Sequence, residues 1–173
     1  MMGLPTVMWV FVALFGIIGA MRGWAKEILV AFSMLLGLFI VTIVDTYVGG
    51  VFSAQSREWQ FFIRASFIIV MAFFGYQTPS FPTLGSKLPV RDKLQDWLLG
   101  LFLGMINGYF IAGTLWFFLH TADYPTRPFV LPPAPDDEYI LGYMKYLPPE
   151  ILKVPYIYFA VGVSFLFVII VFV

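Results

Sequence analysis

Apolar residues fall into five long runs broken by short polar interruptions: Pro5–Met21, Ile28–Val44, Trp59–Tyr76, Trp97–Leu119 and Val154–Val173. A helix that crosses a bilayer needs about 20 largely apolar residues. Pro5 suits the first turn of a helix, where its missing N–H costs nothing. Arg22 closes the first run, Lys26-Glu27 and Asp45 bound the second, the third contains Arg64, and the fifth carries no charge. The first run lacks a basic leader, so it reads as a retained helix and not as a signal peptide. The pattern predicts an all-α fold, a polytopic integral membrane helical bundle of about five transmembrane helices. Its parts are a four-helix core over residues 1–119, a proline-rich segment over 120–153 and a last span over 154–173.

The connections differ in character. Residues 78–89 read as irregular chain punctuated by Pro and Gly, with Pro89 opening the fourth helix. The 120–153 segment, extended to Pro155, holds eight of the twelve prolines. Pro132-Pro133-Ala134-Pro135 predicts extended chain, and Asp136-Asp137-Glu138 an acidic helix start. Tyr139, Ile140, Tyr143, Met144 and Leu147 then recur at helical spacing, and Pro148-Pro149 should stop that helix. This predicts a short amphipathic helix on the membrane surface. Packing against the spans or a neighbouring subunit is the other reading.

Composition narrows the class. The chain has 173 residues, 61% hydrophobic and 12% charged, with a mean hydropathy of +0.90. A soluble domain would carry about 45–50% apolar and roughly 25% charged residues. Ten basic residues balance ten acidic ones, so nucleic acid is not an expected partner. Twenty Phe, nine Tyr and five Trp exclude a disordered chain. The absence of Cys removes thiolate metal sites and Cys nucleophiles. Arg22 and Lys26 lie in the first connection, and Lys87, Arg91 and Lys93 in the third. Short basic loops stay cytoplasmic, which predicts the N-terminus outside and the C-terminus inside.

Charge inside a span usually discloses function, because it costs roughly 2.5–3.5 kcal/mol or more. Arg64 lies five residues past Trp59, with Asp45 ending the preceding helix on the same side, so the two are expected to pair at the interface. His120, the one histidine, reads as an interfacial polar residue. The sequence has no Gly-rich phosphate loop and no nucleophile–base spacing. Neither an enzyme nor a cofactor or metal site is expected.

Glycine is more informative. Gly100, Gly104, Gly108 and Ala112 place four small residues on one face of the fourth run. Gly16-xxx-Ala20 and Gly19-xxx-Gly23 form a shorter version in the first. Such faces let helix backbones approach closely in lipid. A glycine costs about 1 kcal/mol in helix propensity relative to Ala, so three in register predict a packed face.

Gly19-Ala20-Met21-Arg22-Gly23-Trp24-Ala25-Lys26-Glu27, an apolar helix ending in G-x-x-R-G-x-x-x-E, resembles the opening hairpin of the colicin V production (CvpA) family. Asp96-Trp97-Leu98-Leu99-Gly100, followed by Gly104 and Gly108, is similar to that family's second motif, with Trp97 and Asn107 where the family pattern has basic residues. The resemblance spans residues 10–119. It implies a non-enzymatic protein of the bacterial inner membrane, associated with toxin export or envelope homeostasis. By the same resemblance, Arg22, Gly23 and Glu27 form an inner-loop signature. At that tight turn, Arg22 and Glu27 are expected to pair with Asp96 and Lys93.

Two function classes follow. One is a stand-alone envelope protein that works through helix packing, by self-association or with other integral membrane subunits, in contact with membrane lipids. The other is an accessory structural subunit of a respiratory or photosynthetic electron-transfer complex, for which the added fifth span and the long proline-rich segment speak. A small-molecule carrier would need more polar residues at the midplane than the spans supply.

Overall fold

In the computed structural model, residues 3–49, 54–77, 90–126, 130, 132–133 and 138–172 are described. All regular structure among them is helical: α1 (Leu4–Arg22), α2 (Trp24–Tyr47), α3 (Arg57–Tyr76), α4 (Val90–Thr121), α5 (Glu138–Met144), α6 (Pro148–Ile151) and α7 (Tyr156–Phe172). Four of these, α1 to α4, are long and apolar enough to cross a membrane, and α7 is a shorter apolar helix. The chain is a helical bundle of membrane-protein character. The predicted loop 78–89 lies outside the described residues, as do Ala134, Pro135, Asp136 and Asp137.

Helix α4 is the organising element. It packs most extensively on α1, and also on α2 and α3. Gly16 of α1 lies against Met105, and Phe11 of α1 against Gly108. The two helices therefore run antiparallel. Helix α3 lies antiparallel to α2, with Gly37 against Met71 and Gly75 against Ser33; the Ser33 hydroxyl donates to the Met71 carbonyl. Helix α7 descends along α2, where Phe39 meets Tyr158 and Phe32 meets Phe167 edge to face at 5.9 and 5.5 Å.

The main core gathers Val30, Met34, Leu38 and Val41 of α2 with Ile68, Ile111, Phe118 and Ile157 from three other helices. Large side chains elsewhere point outward, Phe159 at 70% and Ile170 at 72% exposure among them. Water would not tolerate so much contiguous apolar surface, whereas lipid does.

The segment before α7 favours one of the two readings of its helix and corrects one expectation. Ile140, Tyr143, Met144 and Leu147 pack on Met8 and Trp116, with Tyr143 stacked on Trp116 at 6.0 Å. This helix therefore lies on the spans themselves. Pro148 and Pro149 do not end a helix but begin one, α6, after Leu147 in extended conformation. The physical reason is positional: in the first turn neither proline needs an N–H. Leu147 and Pro148 are buried and lie against Gly113, eight residues before the end of α4 at Thr121, or about 12 Å along its axis. The segment thus reaches well down the side of the bundle, and its turn is satisfied internally. The Tyr109 hydroxyl donates to the Tyr146 carbonyl, and the Glu150 and Ile151 N–H groups donate to Leu147. Backbone at such depth requires those partners.

Candidate functional site

One residue separates α1 from α2. Gly23 has φ 86° and ψ 157°, a positive φ that L side chains rarely adopt. Its N–H donates to the Gly19 carbonyl at 2.9 Å, and its own carbonyl accepts from Glu27 at 3.3 Å. A Cβ on Gly23 would meet both carboxylate oxygens of Asp96 at 2.8 Å. Asp96 Oδ1 accepts the Trp24 N–H at 3.0 Å. A carboxylate from α4 thereby caps the exposed amides that begin α2, where negative charge is favoured.

The junction places Arg22 and Glu27 on the same side. Arg22 Nη1 donates to Glu27 Oε1 at 2.6 Å, and Nη2 donates to the Tyr76 carbonyl at 3.0 Å. The guanidinium carbon lies 4.4 Å from the centre of the Tyr76 ring. Glu27 is fully buried, while the Arg22 side chain keeps 20% of its exposure. Asn107, also fully buried, donates Nδ2 to both the Glu27 carbonyl at 2.9 Å and Glu27 Oε2 at 2.8 Å. The Tyr76 hydroxyl donates to Oε2 at 3.4 Å. A buried carboxylate is tolerable only when paired and hydrogen-bonded. Here α1 supplies the charge, and α3 and α4 supply the donors. The cluster clasps four helices through one side chain.

Lys93, expected to join this cluster, is exposed. Asp96 does not take Arg22 either. The correction has a geometric cause. A one-residue connection holds Arg22 and Glu27 within reach of each other, whereas Asp96 sits beneath Gly23 and is engaged by the start of α2.

Beside the clasp runs the glycine seam. A Cβ on Gly19 would collide with the Gly100 carbonyl, one on Gly100 with the Gly19 carbonyl, and one on Gly104 with the Phe15 carbonyl. Gly108 would meet the Phe11 carbonyl at 2.9 Å, and Gly16 would meet Met105 Cγ at 2.7 Å. Backbone thus packs on backbone from Phe11 to Gly23. Ala20 is buried in α1. Ala112, one turn beyond Gly108, packs against the cluster of Met8, Trp116 and Leu147 and borders an apolar groove with Phe61 and Ala65. At the opposite end of the bundle, Asp45 Oδ1 accepts from Arg64 Nε at 3.1 Å and Nη2 at 3.0 Å.

Sequence reasoning missed Asn107 and Tyr76 as members of the clasp. Asn107 carries a signal: an amide midway along an apolar span needs a partner. Tyr76 carries none, being an ordinary aromatic at a helix end. His120 Nδ1 lies 3.3 Å from the Tyr124 hydroxyl, at a helix end where Asp123 and Tyr124 both have positive φ. Among the described residues, no three His, Cys, Asp or Glu side chains converge as a metal set would require. No family model, curated protein or solved structure matches the chain.

Proposed function

We propose that the chain is a non-catalytic, CvpA-like protein of the bacterial inner membrane that serves as a packed helical scaffold for other membrane subunits or for further copies of itself. The observation that carries this reading is the meeting of the two motif segments. Gly19 lies against Gly100 and Gly104, Gly23 lies over Asp96, and Arg22 holds Glu27. The residues on which the resemblance rests form one continuous contact. Every polar atom of the Glu27 carboxylate is engaged, an arrangement suited to holding helices, since a group that transfers protons or binds substrate needs an accessible face. The orientation that suits the basic residues is N-terminus outside and C-terminus inside, with Arg22 and Lys26 on the cytoplasmic side.

The accessory-subunit reading draws on α7. It packs mainly on α2 and leaves Phe159, Val163, Leu166 and Ile170 outward at 58–72% exposure, a face that a larger assembly would cover. Purification from the native membrane in mild detergent separates the two readings. Isolation as a colourless species, alone or as a homo-oligomer, supports the scaffold reading. Stoichiometric co-purification with haem- or pigment-bearing subunits would replace it with the accessory one. Cysteine-accessibility labelling at Lys26 and Glu150 tests the orientation, and labelling of position 26 from outside would reverse it.

A further inference from the structure

A cavity of about 570 Å³ opens between α1, α4 and the α5–α6 turn, with Met8, Trp9, Tyr109, Gly142, Lys145 and Tyr146 among its walls. Three features distinguish it from an ordinary lipid-facing furrow. Among the described residues, Lys145 is the single charged one in its lining. The ammonium lies 5.1 Å from the centre of the Tyr146 ring, and no carboxylate pairs with it among the described residues. Second, the polar groups sit alongside the bundle and not beyond its end, because the Tyr146 carbonyl is held by the Tyr109 hydroxyl from midway along α4. An ionisable residue at such a position calls for a counter-charge.

The third feature is Gly142. It stands inside a seven-residue helix, where glycine costs about as much as it does in any helix. A Cβ there would meet nothing within 4 Å. Close packing, which explains the glycines of the α1–α4 seam, does not explain this one. Its bare backbone widens the cavity.

We infer that this cavity binds the phosphate headgroup of an anionic phospholipid, with Lys145 as counter-ion and the acyl chains lying along the exposed Trp9 side of α1. Charge selects the headgroup, and the amphipathic side chains of Trp9, Tyr109 and Tyr146 offer it both apolar faces and polar edges. The inference needs only a bilayer around the bundle and stands apart from the scaffold role proposed above.

Native mass spectrometry of the full chain in a nonionic detergent tests it, with phosphatidylglycerol, phosphatidylcholine and inorganic phosphate titrated separately. One phosphatidylglycerol should bind about fivefold more tightly than phosphatidylcholine, the preference one lysine confers near a membrane surface. Lys145→Glu should erase the preference and Lys145→Arg should keep it. Gly142→Trp should fill the cavity and displace the lipid while the circular dichroism spectrum stays native. Equal binding of the two lipids overturns the inference, as does undiminished binding by both Lys145→Glu and Gly142→Trp. Inorganic phosphate binding as tightly as the lipid would overturn the lipid assignment. Should Gly142→Trp misfold, the Lys145 pair of variants still decides.

Discussion

Replacing Glu27 by Gln removes one charge and almost no volume, so its effect isolates the electrostatics of the clasp. The variant leaves the Arg22 guanidinium facing a neutral amide, with four-fifths of its side chain shielded. Removing one partner of a fully buried pair costs 3–5 kcal/mol. The remaining exposure of Arg22 lets water offset part of that, so the expected loss is about 3 kcal/mol. Arg22→Met should cost a similar amount by leaving the Glu27 carboxylate with only the Asn107 and Tyr76 donors. The Arg22→Met/Glu27→Gln double variant leaves no orphan charge, and its loss should resemble that of either single change. The implied coupling is about 2–3 kcal/mol. Equilibrium unfolding in mixed detergent micelles, followed by far-ultraviolet circular dichroism, measures it. Additive losses in the double variant, or a Glu27→Gln loss below about 0.5 kcal/mol, within the range of ordinary surface changes, would refute the clasp as the tie between helices.

Other outcomes follow from the same geometry. Gly104→Ala should lower stability by about 1–3 kcal/mol, the usual cost of overpacking, because the new methyl meets the Phe15 carbonyl. Gly162→Ala, with nothing within 4 Å, should be neutral or stabilising by up to about 1 kcal/mol, and equal losses at the two positions in the same unfolding assay would contradict the seam. Asp45→Asn should cost about 1 kcal/mol or less, since this pair is partly exposed, and added salt should shrink the difference between variant and parent. Burial raises the Tyr124 phenol above its ordinary pKa, opposed by the Trp116 hydrogen bond. The folded state therefore holds that proton more tightly than the unfolded one. Its contribution is complete below about pH 10 and declines as pH rises from there toward the folded value. Tyr124→Phe should flatten that part of the stability–pH curve, and an unchanged alkaline slope would count against the assignment.

The spans were legible because lipid demands length and apolarity, and both are local properties of the chain. All five runs contain the helices expected of them, and α4 starts at Val90, one residue after the Pro89 expected to open it, ahead of the apolar stretch that begins at Trp97. The Asp45 and Arg64 contact was legible from two charges at adjoining helix ends. Glycine spacing disclosed that α1 and α4 each carry a small-residue face, and the structure adds that they face one another. The partners of Glu27 were not legible. Asn107 lies 80 residues away, and no local rule specifies which turn of α4 meets the start of α2. The descent of the 138–151 segment was hidden for a related reason. Its apolar face fits lipid and protein equally well, and only the notch at Gly113 decides between them.

The single-residue joint at Gly23 bears on the order of assembly. Helices α1 and α2 touch each other little; α4 holds them, through Asp96 beneath the joint and the glycine seam along α1. The glycine face of α1 is therefore covered only by a helix that follows roughly eighty residues later in the chain. Close-range contacts form early and distant ones late. Until α4 arrives, the face of α1 that it will cover has no partner of its own, and the seam and the Asp96 cap can form only together with that helix.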